Sequence, residues 1–167
     1  MNKSRILGLI GSGVFAFLAI IVVFAIGIKS KESMGQSVTY TLTSSDDYLN
    51  SYHHMMDKFK GLYAAGLVFT LIGLLFAVLA IFLKDKTGRI MIIMELVFII
   101  LGMILILSGT AGFVSDVKSM MKDLSYGITL STSDPFNTGI LAANYLLTLA
   151  GGVTGIVLAA LSIRYDR

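Results

Sequence analysis

Four long apolar runs, separated by polar segments, organise this sequence. Each run reaches the roughly 20 residues that a helix needs to cross about 30 Å of hydrocarbon, and the runs cover residues 6–28, 62–83, 90–114 and 140–163. The first run is longer than the hydrophobic part of a signal peptide, so we expect a retained span. The pattern predicts an all-α membrane protein, with residues 1–167 forming one antiparallel bundle of four transmembrane helices.

The polar segments between the runs carry patterns of their own. Residues 84–89, KDKTGR, predict a loop so short that the second and third helices must be antiparallel neighbours. In the segment 29–61, the alternating stretch SVTYTLTS at 37–44 indicates a strand. Helical spacing of apolar residues from Tyr48 to Phe59 then predicts a short amphipathic helix, with Gly61 as its end.

The segment 115–138 has similar ingredients in reverse order. A helical stripe continues to Leu124, so we expect the third helix to extend out of the membrane by two or three turns. A second alternation, YGITLSTS, follows. Pairing of Thr39 to Thr43 with Thr129 to Ser133 would make a small external β-sheet. Coincidence between two short polar segments is the alternative.

Composition supports a membrane protein and excludes several other classes. The chain is 56% hydrophobic and 14% charged, with a mean hydropathy of +0.85, unlike a soluble domain of this length. The formal net charge of +3 comes from basic residues at the ends of spans, where they face lipid headgroups, so we expect the lipid bilayer and no nucleic acid as a partner. With no cysteine, disulfides and thiolate chemistry are excluded.

The distribution of basic residues predicts the orientation. Lys and Arg in short segments next to spans favour the cytoplasmic side. They are dense at both ends of the chain and in the loop 84–89, whereas the two longer segments mix them with acidic residues. We therefore predict a multi-pass protein of the cell membrane with both termini in the cytoplasm and segments 29–61 and 115–138 outside.

Enzyme and cofactor motifs are not found in the sequence. No Ser/His/Asp constellation, phosphate-binding loop or H-E-x-x-H motif occurs, so we expect no enzymatic activity and no cofactor. HHMMD provides His53, His54 and Asp57 as weak candidate metal ligands. An amphipathic helix lying at the outer membrane interface explains the same residues better.

Glu95 is the most conspicuous polar residue in the apolar runs. It lies six residues beyond Arg89, which is about 9 Å along a helix, so we expect it in the cytoplasmic leaflet. Ser12 lies at comparable depth in the first run and could bond it, as could a backbone carbonyl. A structural hydrogen bond, contact with a partner subunit, and a proton- or cation-handling site are the three interpretations.

Other residues predict contacts between the helices. Asn144 and Ser108 lie towards the external end and suggest an interhelical hydrogen bond. Small residues that allow helices to pack closely occur at Gly8, Gly11, Gly151, Gly155 and Ala159.

This layout resembles that of claudin-type tetraspan membrane proteins. The shared features are four spans, cytoplasmic ends, a strand and short helix before the second span, and an outwardly extended third helix. The resemblance is architectural, since the chain has no Trp and no Cys and therefore lacks the claudin motif. The glycine-rich spans and the LKDKTGRI hairpin also resemble small four-span bacterial membrane proteins of unassigned function.

The leading functional hypothesis is a non-enzymatic membrane protein that works by association, as an accessory subunit or a membrane organiser. It would assemble as a homo-oligomer or with a membrane-protein partner. The first alternative is a small oligomeric channel or transporter that uses Glu95. The second is an immunity-type membrane protein.

Overall fold

The computed structural model describes residues 3–30, 37–43, 50–83, 85–124 and 135–165. In this part of the chain four long helices form a bundle: α1 (Lys3–Ile21), α2 (Asn50–Phe82), α3 (Asp85–Leu124) and α4 (Thr138–Tyr165). A π-helical turn (Val22–Ile26) continues α1, and two short strands follow, β1 (Ile28–Lys29) and β2 (Thr39–Tyr40). All four helical segments are long and apolar enough to cross a membrane. The predicted all-α four-helix bundle is confirmed.

The helices alternate in direction, which gives the bundle two distinct ends. The termini end carries the start of α1, the end of α4 and the turn between α2 and α3. The loop end carries both strands, the start of α2 and the end of α3. The α2–α3 and α1–α4 pairs have the most extensive interfaces, and α1–α2 and α3–α4 contacts join them. The four helices therefore surround a common interior.

The bundle is apolar outside and carries polar residues inside. Large apolar side chains recur every three or four residues on the outer face of each helix, as with Phe17 (64% exposed) and Leu146 (66% exposed). The fully buried side chains include several polar ones: Ser12, Glu95, Thr110, Asn144, Thr148 and Ser162. An exterior of this kind suits hydrocarbon, where helix association depends on packing and interhelical hydrogen bonds.

The longest helix, α3, is longer than a bilayer requires. The 40 residues of α3 make a rod of about 60 Å, against about 30 Å of hydrocarbon. Its end at Leu124 confirms that the helix extends beyond the third apolar run, which ends at 114. At the termini end α3 already begins at Asp85, so most of the predicted loop 84–89 is helical.

The second helix also differs from its prediction. It runs without a break from Asn50 to Phe82, so the predicted helix end at Gly61 is wrong. A glycine inside a helix costs about 1 kcal/mol. Packing against α3 on both sides of Gly61 offsets this cost, because Phe59 and Tyr63 are both buried there, so the helix continues.

The strands form a small ribbon at the loop end. β1 and β2 are antiparallel, with Ile28 opposite Tyr40 and Lys29 opposite Thr39. On the other side of β1, the Asn137 N–H donates to the Lys29 carbonyl oxygen at 2.9 Å. The second polar segment thus reaches the ribbon beside β1. The pairing predicted for Thr129 to Ser133 lies outside the described residues and stays a prediction.

Candidate functional site

The buried polar side chains fall into groups at different depths of the bundle. Nearest the loop end is a network formed by Tyr63 of α2, Thr110 of α3 and Asn144 of α4. Towards the termini end lies the carboxyl group of Glu95, and at that end lies the guanidinium group of Arg5. Each group joins helices that are distant in sequence, so together they are the candidate functional residues of the interior.

The loop-end network is a closed ring of hydrogen bonds. The Asn144 Nδ2 atom donates to the Tyr63 hydroxyl at 2.8 Å, and that hydroxyl lies 2.9 Å from Thr110 Oγ1. Thr110 Oγ1 in turn lies 3.0 Å from Asn144 Oδ1 and 3.1 Å from the Ile106 carbonyl oxygen, and its one hydrogen is shared between these two acceptors. If Tyr63 donates to Thr110, every hydroxyl and amide in the ring has a partner. Such rings strengthen each bond by mutual polarisation.

Asn144 also connects this ring to the end of α1. Its Nδ2 atom donates to the Gly27 carbonyl oxygen at 2.8 Å. Gly27 has a φ of +50°, which reverses the chain after the π-helical turn. A β-carbon at Gly27 would overlap the Tyr40 carbonyl oxygen of β2. Glycine is therefore required both by the backbone conformation and by the close approach of β2.

The predicted hydrogen bond between Asn144 and Ser108 is wrong. Ser108 lies on the exposed face of α3, whereas Thr110 is fully buried and bonds Asn144. Two residues along a helix rotate a side chain by about 200°, so these two hydroxyls face opposite sides. The sequence could have indicated Thr110, because it lies at the same depth as Asn144.

Aromatic rings cover this network at the loop end. Phe113 of α3 lies at their centre, with its ring centroid 4.9 Å from that of Phe59 and 5.0 Å from that of Tyr40. The ring of Phe136, near the end of the second polar segment, has its centroid 6.3 Å from that of Phe113. These contacts attach the ribbon and the start of α4 to the tops of α2 and α3.

The Glu95 side chain is fully buried on the inner face of α3. Its carboxyl group lies against α1, since a β-carbon at Gly8 would be only 2.8 Å from Glu95 Oε2. The absence of a side chain at Gly8 therefore provides the space for the carboxyl group. Neither carboxyl oxygen has a hydrogen-bond partner.

Ser12 is buried next to this carboxyl group and close enough to interact with it. The Ser12 hydroxyl donates within its own helix, to the carbonyl oxygens of Gly8 at 3.1 Å and Leu9 at 3.3 Å. The predicted partner Ser12 thus does face the Glu95 carboxyl group, while its hydroxyl also meets the carbonyl oxygens of its own helix. Serine in a helix commonly bonds the carbonyl one turn earlier, and this local partner competes with Glu95.

The small residues place α1, α3 and α4 in close contact. A β-carbon at Gly11 would lie 3.2 Å from the Gly155 Cα atom, and one at Gly151 would lie 3.1 Å from the Phe15 and Leu18 side chains. Ala159 is fully buried one turn beyond Gly155. The sequence did not indicate a second close contact, in which a β-carbon at Gly102 of α3 would lie 3.0 Å from the Gly66 carbonyl oxygen of α2.

Arg5 has a role that sequence reasoning missed. It is 6% exposed and donates to the Ala80 carbonyl oxygen at 2.9 Å and to that of Leu83. These carbonyls end α2 and lack partners within the helix. The guanidinium group therefore caps α2 from α1, with Gly88 of α3 leaving room for it.

The candidate metal ligands are not gathered into a site. His54 and Asp57 lie on the exposed surface of α2, and the side chain of His53 lies outside the described residues. Within the described ranges, no group of three or more His, Cys, Asp or Glu side chains could hold a metal ion.

Comparisons with protein-family models, curated proteins and solved structures found no match to this chain. The resemblance to claudin-type proteins accordingly stays a prediction.

Proposed function

We propose that this multi-pass protein is not an enzyme and works by binding another membrane protein through its loop end, as an accessory subunit or a membrane organiser. The observation that supports the proposal is the structured loop end itself. Here the extended ends of α2 and α3 lie side by side, Tyr40 of β2 packs on Phe113 of α3, and β1 packs on α4.

Within the described residues, several contacts hold β2, α2 and α3 together at the loop end. Phe113 joins rings from β2, α2 and the segment before α4. Lys58 of α2 and Asp116 of α3 form an ion pair at 3.3 Å. A preorganised surface loses little conformational entropy when it binds a partner, so this arrangement favours recognition.

A site-specific crosslinking experiment tests the proposal. A photoreactive amino acid replaces Met121, which is 42% exposed near the end of α3. The matched control places it at Phe82, which is 77% exposed at the termini end. We expect one adduct of defined mass from position 121 and none of that mass from position 82.

Other outcomes would count against this function. Equal adducts at both positions would indicate random collisions in the membrane. If all adducts were between copies of this chain, the partner would be a second copy, and the protein would form a homo-oligomer instead of binding a foreign protein. No adduct at position 121, with the variant still folded, would contradict recognition through the loop end.

The orientation is part of the proposal. We infer that the termini end faces the cytoplasm, because the exposed basic residues there include Lys86, Arg89 and Arg164. The loop end would then face outward, where a partner's external segments are accessible.

A second candidate function is ion transport through an oligomer. It is supported by Glu95, whose two carboxyl oxygens are buried without hydrogen-bond partners inside an apolar bundle. Ionisable residues at such positions often mark ion pathways. Sodium or proton flux into liposomes that is lost in Glu95→Gln, with folding retained, would favour this candidate.

A further inference from the structure

The two ends of the bundle differ in charge. The segments at the termini end, 1–5, 84–89 and 164–167, contain seven Lys and Arg against two Asp. The segments at the loop end, 29–61 and 115–138, contain six Lys against seven Asp and Glu. Among the described side chains, the exposed charged ones at the termini end are Lys86, Arg89 and Arg164. The excess positive charge of the chain therefore lies at one end of the bundle.

Two of these basic residues lie where the exposed apolar faces of their helices end. On α3, Arg89 lies about one turn before Ile93, which is exposed. On α4, Arg164 lies about two turns after Val157, which is also exposed. Both helices thus present an apolar face to lipid with a guanidinium group at its end. A phospholipid has the same order of groups, since its acyl chains end in a polar headgroup.

Arg89 and Arg164 also lie at the same level of the bundle. Helices α3 and α4 are in contact, and a β-carbon at Gly155 of α4 would be 3.3 Å from Ile99 Cγ2 of α3. From this contact, Arg164 lies nine residues and Arg89 ten residues nearer the termini end. These separations are about 14 Å and about 15 Å along the helices. Both guanidinium groups therefore reach the same layer of lipid headgroups.

Arg5 favours anion binding at this end without being exposed. The C-terminal carbonyl groups of a helix carry a partial negative charge, which would repel a phosphate group. At the end of α2, the Arg5 guanidinium group donates to the carbonyl oxygens of Ala80 and Leu83. Its charge thus offsets the negative end of α2, so the termini end keeps its positive potential.

We propose that the termini end is a binding surface for anionic phospholipids. The headgroup phosphate contacts Arg89 and Arg164, and the acyl chains lie along the exposed apolar faces of α3 and α4. Basic residues at the membrane surface attract anionic lipids, and guanidinium groups bind phosphate by paired hydrogen bonds. An acidic protein segment would match the charges but not the apolar residues next to them, so a lipid fits this surface better.

This surface does not depend on the proposed recognition through the loop end, because it lies at the opposite end of the bundle. Lipid binding can be measured on the whole protein in detergent, in the absence of a protein partner and of ion flux. Failure of either proposal is therefore distinguishable from failure of the other.

The test is thermal unfolding of the detergent-solubilised protein, followed by circular dichroism. Phosphatidylglycerol, which is anionic, is compared with phosphatidylcholine, which has no net charge, at equal concentration and with the same acyl chains. We expect Tm to rise with phosphatidylglycerol by on the order of 5 °C when the lipid is at a hundred times its Kd. The rise with phosphatidylcholine should be much smaller. Equal rises with the two lipids would overturn the proposal.

Two double variants with the same change in net charge locate the surface. Arg89→Gln with Arg164→Gln removes two exposed charges from the termini end, and should lose most of the difference between the two lipids. Lys118→Gln with Lys122→Gln removes two exposed charges from the loop end, and should keep it. A full response in the arginine double variant, or an equal loss in both double variants, would contradict a surface at the termini end.

A second set of measurements uses the wild type, in case the arginine double variant does not fold. Added salt should reduce the effect of phosphatidylglycerol, because ions screen exposed charges, and an effect independent of salt would contradict headgroup recognition. Inorganic phosphate lacks acyl chains and should not reproduce the rise in Tm. If it did, the surface would be a simple anion site. If a soluble acidic peptide abolished the effect of the lipid, the partner would be an acidic protein segment instead. Either result would overturn the lipid proposal.

Discussion

The hydrogen-bond ring at the loop end allows a quantitative prediction about stability. Asn144 donates to Gly27 and Tyr63 and accepts from Thr110. Interhelical hydrogen bonds in membranes contribute about 0.6 kcal/mol on average and up to about 1.7 kcal/mol. Three such bonds in a fully buried position predict that Asn144→Ala lowers the free energy of unfolding by about 2 to 3 kcal/mol.

A double-mutant cycle with Tyr63→Phe tests whether the ring acts as a unit. Tyr63→Phe removes the hydroxyl between Asn144 and Thr110 and should cost about 1 kcal/mol. Once either residue is replaced the ring is open, so the second replacement has less to remove. We expect the double variant to be less destabilised than the sum of the single variants by about 0.6 to 1.7 kcal/mol.

The assay is equilibrium unfolding in mixed micelles of a mild detergent and a denaturing one. The matched control is Thr148→Val, because the Thr148 hydroxyl donates only to the Asn144 carbonyl of its own helix, at 2.8 Å. Its effect should add to that of Tyr63→Phe within about 0.5 kcal/mol. Additivity of Asn144→Ala and Tyr63→Phe to the same accuracy would refute the cooperative ring.

Two further predictions concern the backbone at the loop end and the orientation of the chain. Gly27→Ala should lower Tm markedly, because the residue has a φ of +50° and its β-carbon would overlap β2. Gly13→Ala is the control and should leave Tm unchanged, because its β-carbon would meet nothing within 4 Å. An equal Tm for both variants would argue against the described turn. Single cysteines replacing Lys86 and Thr43 should react with an impermeant thiol reagent from opposite sides of the membrane, and labelling of both positions in intact cells would contradict the topology.

The predicted site residues show which functional candidates can be identified from a single sequence. Glu95, Asn144 and the small residues of α1 and α4 were identifiable, because a polar or small residue in an apolar run is conspicuous by itself. Arg5 was read only as a marker of orientation, since nothing in its neighbourhood along the chain indicates the carbonyl oxygens of α2. The role of Tyr63 could not be identified from the sequence either, because it lies among the residues that begin the second apolar run.

The small ribbon illustrates a different limit. The alternation at 37–44 indicated a strand, of which the structure has Thr39–Tyr40. Its partner is Ile28–Lys29, which straddles the predicted boundary between the first span, 6–28, and the segment 29–61. Strand pairing depends on which segments the helices bring together. Ile28 and Lys29 are too few residues to show an alternating pattern, so the sequence could not have predicted that they pair with β2.

The sequence by itself determined the four spans and the extension of α3, because crossing hydrocarbon requires a run of apolar residues that is visible in any single chain. Only the tertiary structure decided the partners of the polar residues. A helix presents a residue to the interior or to lipid according to its rotation, so Thr110 bonds Asn144 while Ser108, two residues away, is exposed. The same packing placed Gly8 against the Glu95 carboxyl group, while the Ser12 hydroxyl beside it bonds the carbonyl oxygens of α1.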